Sequence, residues 1–382
     1  MKIAVVYLGH KGAGPIFTLS LSNALSKHVE EIKCFLSNKI SNYNDWTKSK
    51  LNVAFFNVPK TSRQIFHKES LKVITTIINE IIHFNPDAIV FTMIHPFNFI
   101  IGNYLRKKGY TVLSLIHDPQ PHEGEKFWVR LIQKLELKSS DIFFTLSNFS
   151  KFNLKKITKK PVENYLHPIM DISSVSEKPP EIELEILKNK FVFLYFGRIE
   201  PYKGLNNLVE AFSSLVSDKK FEEKTYLIVA GAGNLDKTTN QKLNELEKRK
   251  LACFINRFLK DSEILELINI SNIAVLPYLS ASQSGVLSTI YYYGKPAIVT
   301  PVGGLLEQSL YGTGSLITLP NSLSLLDSMK FILENENIYN LLLEEVRSIR
   351  KNLPTWNGMA LEIIDFIRAN LKKKWNTMKV LI

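Results

Sequence analysis

The sequence predicts an α/β protein made of two doubly wound, Rossmann-like domains in tandem. Three observations carry this reading. The chain has 382 residues, more than a single compact core organises. Short apolar runs alternate with helix-period segments, the pattern of parallel sheets covered on both faces. Near residue 171 the alternation gives way to a polar stretch containing Pro179 and Pro180, and afterwards it restarts.

In chain order, "KIAVVYL", "EIKCFL", "DAIVFT", "YTVLSLI" and "DIFFTLS" read as strands of a first domain, residues 1–170. "ESLKVITTIINEIIHF" and "EKFWVRLIQKLELKSS" supply helices between them. Residues 171–186 read as a linker, polar and without a clear apolar period. The second domain, 187–355, begins with strand "KFVFLYFGRI", helix "GLNNLVEAFSSLV", strand "KTYLIVAG" and helix "QKLNELEKRK". Strand "NIAVLPY", helix "GVLSTIYYYG" and strand "KPAIVT" follow. Residues 356–382 read as a basic helix, expected to pack back toward the first domain.

Composition narrows the class of protein. Apolar content of 45% and charge of 22% are ordinary for a globular chain. No run of about 18 apolar residues exists, so a membrane-spanning helix is not expected. The start, "MKIAVVYLGHKGAG", reads as a first strand and not as a leader, because the apolar run is brief and no small-residue cleavage site follows. Cys34 and Cys253 stand far apart, which favours a reducing cytoplasm over a disulfide frame or a zinc site. Net charge is +12, and residues 1–170 hold 23 Lys+Arg against 12 Asp+Glu. The positive field therefore belongs to the first half, and it predicts anionic partners. An anionic membrane face fits the clustered Lys155, Lys156, Lys159 and Lys160, and so does ordinary surface solvation. Nucleic acid is not expected, because no basic run interleaved with aromatics stands out convincingly.

In open α/β sheets, ligands sit outside the carboxyl ends of the strands, so the loops there carry the candidate chemistry. After "FVFLYF" comes "GRIEPYKG", Gly197–Gly204. Arg198 and Lys203 flank a proline that introduces the next helix, a clamp suited to a diphosphate. A strand-to-helix turn with solvated charges is the plainer alternative. After "NIAVLPY" lies "SASQSG", and from Leu267 to Gly294 there is no Asp, Glu, Lys or Arg. A helix starting near Ser284–Gly285 would point free N–H groups outward, with Ser282, Gln283 and Ser284 as hydrogen-bond donors and Gly285 permitting close approach. A carboxylate there would repel phosphate, so its absence suits a phosphate-receiving tip. Ordinary N-capping by Ser remains the alternative.

The set "FGRIEPYKG", "AGAG", "INRFLKDSEI" and "IAVLPYLSASQSGVLSTIYYYGKPAIVTPVGGLLE" resembles the second domain of GT-B glycosyltransferases of retaining family 4, over roughly residues 190–310. The resemblance implies two domains facing across a cleft and transfer of a sugar from a nucleotide diphosphate-sugar, UDP- or GDP-linked, without metal or other cofactor. It implies that Arg198 and Lys203 hold the diphosphate and that the Ser284–Val286 backbone contacts phosphate or sugar. Arg257 and Phe258 would flank the base, Gly231 and Gly233 would let the nucleotide approach, and Glu307 matches a position near the donor. Phe258 as plain core and Glu307 as a helix cap are the alternatives. Many members carry two glutamates eight residues apart before the "GxP" turn; here those positions are Ala281 and Thr289. This looks like a divergent branch in which Thr289 or a neighbouring hydroxyl serves the ribose.

In the first domain, "LGHKGAGP" follows the first strand, and Gly12 and Gly14 would let that loop close over sugar or phosphate, or simply make a turn. His117 and Asp118 end "YTVLSLI". Similar family members have a His there that touches the transferred sugar; a buried turn-satisfying His is the alternative. His122 and Glu123 lie farther along, on the acceptor side, and His95-Pro96 ends another strand. The expected function is thus a glycosyltransferase of surface-polysaccharide synthesis in bacteria, acting on a glycan or lipid-linked acceptor at the inner membrane face. The rivals are an inactive binding subunit, motivated by the missing glutamates, and a UDP-sugar epimerase of the same fold, which would need catalytic acids that 267–294 lacks.

Overall fold

The computed structural model describes residues 1–59, 67–119, 127–169 and 175–379. The chain divides into two compact units, one of Met1–Leu166 with Pro354–Ile382 and one of His167–Leu353. In the first, β1 (Lys2–Tyr7), β2 (Glu31–Ser37), β3 (Asn52–Phe56), β4 (Ala88–Phe91), β5 (Thr111–Ile116), β6 (Ile142–Thr145) and β7 (Val162–Asn164) form a seven-stranded sheet. Its order is β3-β2-β1-β4-β5-β6-β7, and every pairing is parallel. The second unit has β8 (Phe191–Phe196), β9 (Thr225–Ala230), β10 (Ala252–Ile255), β11 (Ile273–Leu276), β12 (Ala297–Val299) and β13 (Ser315–Ile317). They run β10-β9-β8-β11-β12-β13, again all parallel.

Both sheets are buried on both faces, which is why their strands are continuously apolar. Along β8, Phe193 and Tyr195 enter one core cluster while Val192, Leu194 and Phe196 enter another. Along β1, Ile3, Val5 and Tyr7 face one core, and Ala4 and Val6 the other. The last helix, Trp356–Lys379, belongs to the first unit. Met359, Ala360, Ile363, Ile364 and Ile367 recur on one helical stripe and are fully buried in the β1 core.

Two features position the site. Strand order reverses between β8 and β11, the switch point beyond whose strand ends open α/β sheets place their ligands. The stretch expected as a linker, 171–186, falls within the second unit. From Val175 on it is tied down: Ile182 is 2% exposed in the second unit's core, and Glu181 forks onto Arg257.

Candidate functional site

Three strand-end loops of the second unit are packed backbone against backbone. Gly204 has φ 64°, and a β-carbon there would lie 2.0 Å from the Pro277 carbonyl oxygen. Gly231, at φ 150°, leaves only 1.7 Å between such a carbon and the Gly197 carbonyl oxygen. Only glycine fits either place. Gly197 donates its N–H to Ala230, Ile199 donates to Ala232 beside Gly233, and Leu279 donates to Tyr202 at 2.7 Å. The glycines predicted to admit a nucleotide thus serve first to bring the loops together.

This packing drives Lys203 inward until it is only 9% exposed. Its Nζ donates to the Tyr278 hydroxyl at 3.0 Å and stands 4.7 Å from the centre of that ring. The same hydroxyl lies 3.4 Å from Ser284 Oγ. A β-carbon placed on Gly197 would be 3.3 Å from Lys203 Nζ and 3.5 Å from Val286 Cγ2. The cation and the start of helix Gly285–Tyr292 therefore converge on one point above β8. Among the described residues no carboxylate pairs with Lys203 or Arg198; exposed Arg198 has only a long contact, 3.5 Å, to the Tyr202 hydroxyl. Lys203, nearly buried beside a helix start and without a counter-charge among the described residues, suits an anion, while the one described side-chain contact of exposed Arg198 is with Tyr202.

The helix tip is built differently from the expectation. Ser284 is the N-cap, its Oγ accepting from Leu287 N at 3.4 Å. Its own N–H goes to Gln308 Oε1 at 2.7 Å, while Gln308 Nε2 donates to the Ser284 carbonyl at 2.7 Å and to Ser288 Oγ at 2.6 Å. Ser284 therefore offers a phosphate no backbone donor. The first-turn N–H groups without an acceptor among the described residues are those of Gly285 and Val286. Ser282 is 5% exposed, and Gln283 is half-buried with its Oε1 shielded and unbonded among the described residues. Thr289, expected to serve the ribose, is 3% exposed and donates its hydroxyl to the Gly285 carbonyl at 2.8 Å, so its hydrogen is committed within the helix. Tyr278 and Gln308, which complete the tip, were not anticipated, because neither type marks an anion site by itself. Glu307 sits half-buried in the short helix Leu305–Gln308, next to this amide clamp.

At the base-side loop, Arg257 is fixed by two carboxylates. Its guanidinium forks onto Glu181 at 2.7 and 2.9 Å and onto Glu263 at 2.7 and 2.9 Å. The guanidinium holds Glu263 down at about 2, far below the usual carboxylate range. Both edges of the fork are thus committed to structure. Phe258 is not core: it is 77% exposed, leaving a free aromatic face beside the crevice loops.

In the first unit, Gly12 has φ 86° with open space around it, so the β1 loop keeps a left-handed turn there. Gly14 has a structural cause instead, since a β-carbon would lie 2.6 Å from the Tyr7 hydroxyl. His117 Nε2 lies 3.0 Å from the Thr92 carbonyl oxygen, and its ring meets Phe17 edge-on at 4.8 Å. Because a carbonyl only accepts, Nε2 carries the proton. Burial lowers the pKa of His117, so its neutral form has Nδ1 as an acceptor. Asp118 accepts through its carbonyl from Gln133 Nε2 at 2.8 Å. His95 caps helix Pro96–Lys107 through Nδ1, and burial with neighbouring His10 pushes it down to about 3. His122 and Glu123 lie outside the described residues.

Residues 180–352 match the family model "Glycosyl transferases group 1", which covers most of the second unit. An uncharacterized glycosyltransferase of Methanocaldococcus jannaschii is 23% identical over 244 residues, covering 62% of this chain. The matched stretch spans 60% of that relative's length. Sucrose-phosphate synthase from Thermosynechococcus elongatus superposes with a TM-score of 0.73 at 16% identity, over 98% of this chain and 100% of that one. The Anabaena protein HepE, solved in complex with UDP, gives 0.75 at 14% identity, over 97% of this chain and 100% of that one. The chain has the GT-B fold.

Proposed function

We propose that this chain is a glycosyltransferase that moves a sugar from a nucleotide diphosphate-sugar, UDP- or GDP-linked, to a glycan or lipid-linked acceptor. One observation carries the reading. Lys203, Tyr278 and Ser284 form a continuous polar chain from a nearly buried cation to an acid-free helix tip at the strand-order reversal. Such a site holds the doubly charged end of a nucleoside diphosphate. The family match over 180–352 supports sugar transfer, and the UDP bound to HepE supports a nucleotide donor.

The transfer proceeds with retention in this reading. The bond from the sugar's anomeric carbon to the β-phosphate oxygen breaks, and the acceptor oxygen bonds that carbon on the same face. The acceptor's proton passes to the leaving phosphate. Arg198, Lys203 and the Gly285 and Val286 N–H groups stabilise the charge growing on that phosphate, so no metal is required. The basic first unit meets an anionic membrane face, as synthesis of a bacterial surface polysaccharide on a lipid carrier would need.

A second reading, a binding subunit without turnover, is favoured by Ala281 and Thr289 where glutamates are common, since Thr289 points inward. A thermal-shift screen of nucleotide diphosphate-sugars, followed by assay of donor turnover, separates the two. The transferase reading expects one donor to raise the melting temperature selectively and then to be consumed. A shift without turnover supports the binding subunit, and no shift with any donor refutes both.

A further inference from the structure

The helix Asn148–Ile157 of the first unit carries a face that the candidate donor site does not use. Its inner stripe is Ser150, Asn153 and Leu154, all buried, and Ser147 caps its start by accepting from Ser150 N at 3.1 Å. On the opposite side stand Phe149, Phe152, Lys155 and Lys156, whose helical spacing groups them on one arc. Phe152 is 64% exposed, Phe149 37%, and Ile157 at the helix end 57%. Lys156 Nζ sits 4.2 Å from the centre of the Phe152 ring.

Residues 148–160 contain five lysines and no acid. Three of the five make side-chain hydrogen bonds, Lys156 to Asn153 Oδ1 of its own helix at 3.1 Å. Lys151 pairs with Glu163, and Lys160 donates to the carbonyls of Leu137 and Ser140. Lys160 thus leaves the group expected to face a membrane, while Lys155, Lys156 and Lys159 remain exposed. A single exposed Phe is common on soluble proteins. Two aromatic rings and an Ile set among three exposed ammonium groups, none of them in an ion pair among the described residues, make a surface that is both cationic and apolar. An acidic protein would match the charge and leave the rings in water. An anionic bilayer matches both, with phosphates at the level of the ammonium groups and acyl chains below.

We propose that this helix is the docking element on anionic lipid, with Phe152 entering the headgroup boundary and Lys155, Lys156 and Lys159 meeting lipid phosphate. No described helix is long and apolar enough to cross a membrane, so the contact is interfacial. This deepens the membrane contact of the proposed function and is independent of the donor chemistry.

Co-sedimentation of the full chain with phosphatidylcholine vesicles, with and without phosphatidylglycerol, tests it. The expected result is binding only to the phosphatidylglycerol vesicles, weakening as salt rises. Replacing Lys155→Gln and Lys156→Gln together should weaken binding about 30-fold, roughly fivefold for each lysine. Phe152→Ser should weaken it about tenfold or more. Both variants should keep the wild-type melting temperature and its shift with nucleotide, which separates loss of docking from loss of fold and from failure of the donor reading. Equal binding to both vesicle types, no binding to either, or wild-type binding by either variant overturns the proposal. Displacement of the vesicles by a single-stranded RNA that binds Phe152→Ser as well as wild type also overturns it.

Discussion

Lys203 shows how a strand-end loop makes a chemical group out of a surface residue type. An ammonium group is stable in a nearly closed site only when donors and charge are accommodated. Here the Tyr278 hydroxyl and ring supply the neutral half of that accommodation, and no described carboxylate supplies the rest. An anionic ligand would complete it. Gln308 has the complementary task of keeping the helix tip uncharged while fixing it by three hydrogen bonds. Gln308→Glu should therefore keep the bond from Ser284 N–H but lose both donated bonds and bring negative charge beneath the first turn. The expected outcome is a donor KM raised by about tenfold or more, from one or two lost buried bonds of about 1–1.5 kcal/mol each. A KM within twofold of wild type would show that the amide only packs. The sequence displayed Arg198, Lys203 and the acid-free tip because spacing and absence are visible in one dimension. It did not display Tyr278 or Gln308, whose roles come from side-chain hydrogen bonds between segments 75 and 24 residues apart.

At the scale of elements, the first unit contains a buried polar joint. Glu136, on helix Phe127–Ser139 and 1% exposed, accepts from Asn98 Nδ2 at 3.0 Å and Ser114 Oγ at 3.1 Å. Ser114 in turn meets Ser140 Oγ at 2.6 Å, so two helices and β5 share one cluster. Burial pushes the Glu136 carboxyl from its ordinary 4.5 up to about 8. The folded value lies above the unfolded one, so this group's contribution is fully present below about 4.5 and is lost as pH rises toward 8. Stability of the first unit should fall across that window by up to about 1.4 kcal/mol per pH unit. Glu136→Gln, which stays neutral, should flatten the slope in denaturant titrations at several pH values. An unchanged slope would locate the dependence elsewhere. Long apolar strands such as β1 and β8 were readable because burial on both faces leaves no charged interruption. Strands β3, β7, β10 and β13 were not: they are the four sheet edges, where burial is incomplete and the apolar signal weakens.

At the scale of the molecule, the chain leaves the first unit after Leu166 and returns to it at Pro354. The return is encoded in the apolar stripe Met359–Ile367, which a basic composition hides on the other faces of the same helix. Restarted α/β alternation was therefore enough to read two units. The segment before β8 was misread as a linker because one buried Ile and one Arg–Glu fork anchor it, and neither produces periodicity. Charge is divided by unit as well. Excess lysine gathers in the half that carries the exposed aromatic helix, whereas residues 171–382 hold 25 Lys+Arg against 24 Asp+Glu.

In the proposed function, the β-phosphate of a nucleotide meets Lys203, Arg198 and the Gly285–Val286 donors. Calorimetric comparison of a nucleoside diphosphate with its monophosphate tests this most directly. Wild type should prefer the diphosphate by about tenfold to hundredfold, the worth of one charge-assisted hydrogen bond, and Lys203→Ala should bring the two affinities close together. An undiminished diphosphate preference in Lys203→Ala and Arg198→Ala would contradict it.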